Sequence, residues 1–300
     1  MTWGAVRAVL TSSRAPFLAL TPICVLLGCA TARRQGASLD AALLAGVLLN
    51  ALLAHASVNL LNEYHDFRSG LDLHTRRTPF SGGSGGLPAH PAMAGVVLRA
   101  GLLGFALSAA LGLYFVALRG AVLVIPGLLG LLLIAGYTPW INRRPWLCLV
   151  SPGLGMGLVV VLGTHLAVGG TVSVSALLAA GTVFALGNNL LLLNQYPDTV
   201  ADQAVGRRNF PIVYGIGKSN AAYGIFSLAA AGLMAFGVGS GAWPVAALWA
   251  LAPLLLSLIA LAGMIRFGHG IGAHAGFLAA NVAAALLAPL TLGVALLSIG

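Results

Sequence analysis

A chain of 300 residues that is 59% hydrophobic and 7% charged, with a mean hydropathy of +0.97, is too apolar for a soluble domain, where about a quarter of residues carry charge. The net charge of +9 and a pI near 10.3 would suit a nucleic-acid binder. The basic residues fall in short segments between apolar runs, however, where lipid headgroups and membrane topology account for them.

Apolar runs of membrane-spanning length are predicted at about 16–32, 41–61, 93–117, 120–137, 147–168, 173–196, 219–240, 244–264 and 273–298. The expected fold is an all-α integral membrane protein, one domain over 1–300, with nine transmembrane helices. Arg7 and Arg14 ahead of the first run resemble a signal peptide, but further spans follow at once, so that run reads as a retained helix. Arg7, Arg14, Arg68, Arg76, Arg77, Arg99, Arg143, Arg144, Arg207, Arg208, Lys218 and Arg266 fall on the side of the N-terminus. Only Arg33, Arg34 and Arg119 fall on the other. That bias puts the N-terminus in the cytoplasm and, after nine spans, the C-terminus outside. Cys24, Cys29 and Cys148 form no metal or disulfide pattern and read as small buried packing residues. Glycines such as Gly153, Gly155 and Gly157 read as close-packing positions between helices.

The second span ends in Asn62-Glu63-Tyr64-His65-Asp66-Phe67-Arg68-Ser69-Gly70-Leu71-Asp72, and the sixth in Asn194-Gln195-Tyr196-Pro197-Asp198-Thr199-Val200-Ala201-Asp202. These two stretches hold every carboxylate of the chain except Asp40. Both begin Asn-x-x-x-Asp, at the same predicted side of the membrane, and run into a basic, Gly-containing loop. A parallel internal repeat around a central cavity is expected. Residues four apart share a helical face, which aligns Asn62 with Asp66, and Asn194 with Asp198 and Asp202; Gly70 permits a turn before Asp72. Two Asp and one Asn from each stretch then offer hard oxygen donors to a common point, a set suited to Mg2+ shared with phosphate oxygens. The rival reading is surface pairing with nearby arginines, which needs neither this spacing nor its duplication.

The loop Arg76-Arg77-Thr78-Pro79-Phe80-Ser81-Gly82-Gly83-Ser84-Gly85-Gly86 pairs positive charge with glycines whose backbone N–H groups can approach phosphate. It lacks the Gly-Lys-Ser/Thr of a P-loop, so it reads either as a linker or as a flap, including Ser81, over a diphosphate. Tyr137 suits an interfacial belt position or a place beside a developing carbocation. His55 and His165 lie within or near helices and could face the cavity, but a lone His is more often a packing residue, so neither is assigned; His269 and His274 read as loop residues without a role.

Together these features resemble the UbiA superfamily of intramembrane prenyltransferases, whose second and sixth helices end in aspartate-rich motifs. The resemblance covers essentially the whole chain and implies nine helices, Mg2+, a polyprenyl diphosphate donor and an aromatic acceptor. The Asn62…Asp66…Gly70-x-Asp72 form, Gly163-Thr164, and Asn188-Asn189…Asn194…Asp198…Asp202 followed by Gly206-Arg207-Arg208 are most similar to the 1,4-dihydroxy-2-naphthoate prenyltransferases of menaquinone synthesis. Two departures are Glu63 in place of the usual Asp, and Ile141 where some members have the Lys of Tyr-x-x-x-Lys. The resemblance implies that Asp66, Asp72, Asp198 and Asp202 hold Mg2+ with help from Asn62 and Asn194. It implies further that Arg76, Arg77, Arg207, Arg208 and Lys218 neutralise the leaving group. A cation-coupled transporter would instead carry its acids near mid-membrane, and a CDP-alcohol phosphotransferase would need an Asp-Gly, which this chain lacks.

Overall fold

The computed structural model describes residues 3–75 and 77–298, without the side chains of 73 and 74. All regular structure among them is helical. A helix α1 (Trp3–Ser12), buried along one side at Ala5, Ala8 and Ser12, leads into α2 (Ala15–Arg33) and α3 (Ala41–Arg68), then the short α4 (Leu71–His74) and α5 (Gly86–Ala89). There follow α6 (Pro91–Arg119), α7 (Ala121–Gly136), α8 (Pro145–Ala167), α9 (Val174–Asn194), the short α10 (Thr199–Ala204), α11 (Phe210–Gly239), α12 (Val245–Ala273) and α13 (Ala275–Leu297).

Eight of these helices are long and apolar enough to cross a membrane; the segment predicted at 120–137 forms the shorter apolar helix α7. Local chemistry marks the starts: the side chains of Asp40, Ser173 and Asn209 accept from the backbone N–H of Leu43, Ala176 and Ile212, satisfying donors that a first turn leaves open. Several boundaries differ from expectation, α12 for one reaching Ala273 where the span is predicted to end near 264. Helix α3 carries its motif as helix to Arg68, and α11 starts at Phe210, with a break at Gly215 (φ 78°, ψ 171°) that separates its first turn from the predicted span.

Helix α9 is the central post, with 72% of its most apolar window buried against 11% for α3, and it packs on α2, α8, α11 and α13. Close approach requires glycine here. A Cβ on Gly153 or Gly157 of α8 would strike the carbonyl oxygen of Phe184 or Ala180 on α9. Gly155 differs from its two neighbours, since it lines a cavity. Pro152 interrupts the ladder of α8, which widens into a π-helical stretch at Leu154–Leu162. The three cysteines are free and buried, as their apolar settings predict.

Candidate active site

Helices α2, α3, α7, α8 and α9 surround a cavity of about 290 Å3, and the loops at the motif-bearing end close over it. Asn62, Asp66, Asp72, Ser81, Tyr137, Asn194, Asp198, Asp202 and Arg207 all line it. Arg77, Arg208 and Lys218 do not: all three are exposed, and the Lys218 ammonium sits 5.6 Å from the Tyr214 ring. Arg76 lies outside the described residues.

The first motif is built as its spacing suggests. Asn62 and Asp66 lie one turn apart on α3, and Gly70, in the left-handed region at φ 78°, turns the chain so that Asp72 opens α4 and faces back into the cavity. The second motif is built differently. No single helical face carries Asn194, Asp198 and Asp202, because α9 stops at Asn194 and Pro197 supplies no N–H to continue it. A turn over 195–198 and a new helix, α10, bring Asp198 and Asp202 to the same cavity by another route.

Arg207 stands between the two motifs, its guanidinium bonded to Asp66 and, at 2.8 Å, to Asp202, whose other oxygen accepts from Asn209 at 2.9 Å. Burial works against the charge of Arg207, but the Asp66 and Asp202 carboxylates outweigh it and hold its proton more tightly than usual. Asp72 and Asp198 have no ion pair among the described residues. Burial first, then the charges of Glu63 and Asp66, push the Asp72 carboxyl up to about 7. Burial and the charge of Asp202 do the same for Asp198, to about 7.

The glycine-rich loop is fastened across this acid cluster. Gly82 N–H donates to Asp198 at 2.9 Å, so the N–H suited to phosphate is here directed to a carboxylate. Gly82, Gly83 and Gly85 all have φ between 72° and 81°, and a Cβ on Gly83 would come 2.5 Å from an Asp72 oxygen. Ser84 donates from backbone and hydroxyl to Glu63, which also pairs with Arg14 at 3.3 Å. Glu63 is fully buried and outside the cavity lining, so it ties loop to helix rather than facing a ligand. Arg14, Asn142, Asn209 and His55 also line the cavity, though no motif spacing marks them. His165 is instead held away from it, between Thr31 and the Thr171 carbonyl.

The donor set fits Mg2+. Asp72 Oδ2, Asp198 Oδ1 and Asn194 Oδ1 are buried oxygens without a hydrogen-bond partner among the described residues, all on residues lining one cavity. An orphaned carboxylate oxygen is costly, and a hard cation accepts such oxygens readily. Among the described residues no three His, Cys, Asp or Glu side chains converge tightly enough to enclose an ion alone. An ion held here would have to complete its coordination with water or phosphate oxygens.

Comparison with known proteins agrees with this architecture. Residues 21–273 match the model of the UbiA prenyltransferase family. The chain is 29% identical over 180 residues to the 1,4-dihydroxy-2-naphthoate octaprenyltransferase of Bacillus subtilis, a match that spans 59% of this chain and 56% of that protein. Among solved structures, a digeranylgeranylglyceryl phosphate synthase superposes with a TM-score of 0.66 at 16% identity, covering 98% of this chain and 99% of that one. A UbiA homologue from Archaeoglobus fulgidus bound to DMAPP and Mg2+ gives 0.65 at 19% identity, covering 97% and 99%. At such identities the likeness shows the fold, while the family match covers most of the chain. This membrane protein belongs to the UbiA prenyltransferase family.

Proposed function

We propose that the protein transfers a polyprenyl group from a polyprenyl diphosphate to an oxygenated aromatic ring, with 1,4-dihydroxy-2-naphthoate, and so menaquinone biosynthesis, as the first choice of acceptor. The observation that carries the reading is the set of buried oxygens of Asp72, Asn194 and Asp198, unpartnered among the described residues, on a cavity that also has an apolar side formed by residues such as Leu133, Ile134, Met156 and Val160. The name of the Bacillus subtilis relative supports the acceptor, and the DMAPP-and-Mg2+ complex of the Archaeoglobus fulgidus homologue supports donor and metal.

Asp66, Asp72, Asp198 and Asp202, with Asn62 and Asn194, would hold Mg2+; when bound, the metal supplies positive charge against the diphosphate leaving group. Arg207 adds a fixed guanidinium beside it. As the allylic C–O bond breaks, diphosphate departs toward Arg207 and the acid cluster, and a ring carbon of the acceptor forms the new C–C bond. A ring carbon that carried hydrogen then releases it as H+, which restores aromaticity and leaves prenylated ring, diphosphate and one proton. Tyr137, Phe17 and Phe80 line the cavity with rings suited to an allylic cation, and Leu133, Ile134, Met156 and Val160 keep water from it. With α7 counted as a ninth span, the Arg and Lys bias supports an orientation with both motifs at the cytoplasmic face, the N-terminus inside and the C-terminus outside. Helices α3 and α9 then correspond in a parallel pseudo-repeat. A transporter is disfavoured because the acids lie at helix ends, Asp66 three residues from Ser69 where α3 stops and Asp198 beyond α9, rather than at mid-span.

The test supplies purified protein in lipid with labelled polyprenyl diphosphate, Mg2+ and dihydroxynaphthoate, beside an Asp66→Ala, Asp198→Ala variant. The expected result is prenylated naphthoate with stoichiometric diphosphate release, absent without Mg2+ and in the variant. Turnover with a different aromatic acceptor alone would retain the reaction and discard the pathway. Absence of diphosphate binding, with ion flux in liposomes instead, would discard both.

A further inference from the structure

The membrane-deep wall of the cavity holds a polar group that the reaction, as described, does not use. Lining residues 51, 54, 55, 58, 59, 62 and 66 form one face of α3. His55 therefore lies seven residues below Asn62, about 10 Å deeper along the helix. On α3 the lining residues nearest His55 are Ala51, Ala54, Val58 and Asn59. The other titratable groups lining the cavity, such as Arg14, Tyr137 and Cys148, belong to the motif-bearing helix ends.

His55 Nδ1 lies 2.7 Å from Thr21 Oγ1. Thr21 is fully buried, and its hydroxyl has no other hydrogen-bond partner among the described residues. A buried hydroxyl proton needs an acceptor, and the ring nitrogen is the one available. Thr21 O–H therefore donates to Nδ1, which places the ring proton on Nε2. Nε2 has no hydrogen-bond partner among the described residues, so an uncommitted N–H donor is presented to the cavity beside Ala51, Ala54 and Val58, whereas the Asn59 amide one turn away already donates to the Ser13 carbonyl. One placed donor in an apolar pocket orients a ligand that carries one matching acceptor atom.

We propose that His55 binds an oxygen of the aromatic acceptor (phenolic, quinoid or carboxylate) and that Thr21 sets the tautomer that makes it a donor. The inference rests on the reading of the cavity as a prenyl-acceptor site. His55 would hold the far side of an extended ring system while the reacting carbon faces the diphosphate end. The long hydrocarbon donor has no atom that uses this N–H, so the histidine selects for acceptor and not for donor.

The test measures binding of 1,4-dihydroxy-2-naphthoate to the full chain in lipid nanodiscs, with Mg2+ and an unreactive prenyl thiolodiphosphate present, and binding of the thiolodiphosphate separately. His55→Leu should weaken naphthoate binding by about 10- to 100-fold and leave thiolodiphosphate binding within about 2-fold. His55→Gln, which keeps an N–H at similar reach, should recover most of the loss. Thr21→Val should weaken naphthoate binding by about 3- to 10-fold alone and add nothing in the His55→Leu background. In wild type, 1-naphthol should bind at least about 10-fold more tightly than naphthalene, a preference lost in His55→Leu. Unchanged naphthoate affinity in folded His55→Leu, or a wild type indifferent to the ring oxygen, overturns the role of His55. Should the leucine variant not fold, the naphthol preference in wild type and in Thr21→Val decides. Prenyl transfer by wild type with an unaffected His55→Leu would sink this inference alone, whereas a wild type that binds no oxygenated aromatic would sink the acceptor reading with it.

Discussion

Asp72 and Asp198 each leave one buried carboxylate oxygen unpartnered, and both carboxyls are raised from 3.8 to about 7 by burial and by neighbouring acids. A raised carboxyl holds a proton in the folded chain that the unfolded chain has already released. Metal-free stability is therefore greatest below the unfolded value and falls as pH rises from about 4 to about 7. Metal binding must expel the same protons, so Mg2+ affinity should run the opposite way, stronger at pH 8 than at pH 6. Calorimetric Mg2+ titrations at the two pH values, beside metal-free melting curves, check both signs. Asp72→Asn and Asp198→Asn should each lower Mg2+ affinity at least about 10-fold, by loss of one anionic ligand, while the metal-free melting temperature holds or rises. Arg207 is a different case. Arg207→Gln leaves Asp66 and Asp202 facing each other without their shared cation and should cost about 3–5 kcal/mol of stability. Added Mg2+ should return part of it in a thermal-shift measurement, because the metal replaces the lost charge.

At the scale of elements, the loop across the acid cluster depends on backbone that only glycine adopts at low cost. Gly83→Ala must hold φ near 76° and place a methyl against Asp72. It should lower turnover about 10-fold or more through the Asp72 position, with the melting temperature moved by only a few degrees. Glu63→Gln should loosen the same loop from the other side by weakening its hold on Ser84 and Arg14, and faster proteolysis near residue 84 would report it. The helices themselves, their apolar spans and the capping residues Ser173 and Asn209 are local features, legible along the chain. The break between α9 and α10 was less so: a spacing of four suggested one continuous helical face, and Pro197 alone opposed it.

At the scale of the whole molecule, α8 and α9 must touch while α8 still opens onto the cavity. Gly155→Phe should fill that cavity and abolish prenyl diphosphate binding in a folded protein. Gly157→Leu should instead drive α8 from α9 and lose folded protein altogether; size-exclusion profiles separate the two outcomes. Topology is open to the same directness, because all three native cysteines are buried. In spheroplasts, Arg208→Cys should escape a membrane-impermeant maleimide applied from outside and Ser38→Cys should react. The reverse pattern would invert the orientation proposed above.

The amino-acid sequence alone determined the membrane solvent, the helices, and the two Asn-x-x-x-Asp stretches with their Mg2+-type donors. Each of these follows from composition or from spacing within one turn or one loop. It could not separate Arg207 from Arg208, adjacent and chemically alike, of which one enters the cavity and the other stays outside after the turn at Gly206 (φ 80°). Nor could it show that Glu63 serves Ser84 and Arg14, or that Gly82 caps Asp198, 116 residues away. It left His55 unassigned, because only the approach of α2 brings Thr21 to one ring nitrogen and leaves the other toward the cavity. Those partnerships depend on which helix faces which. That is settled by small-residue contacts such as those of Gly153 and Gly157 of α8 against α9, and no window along the chain contains both sides of such a contact.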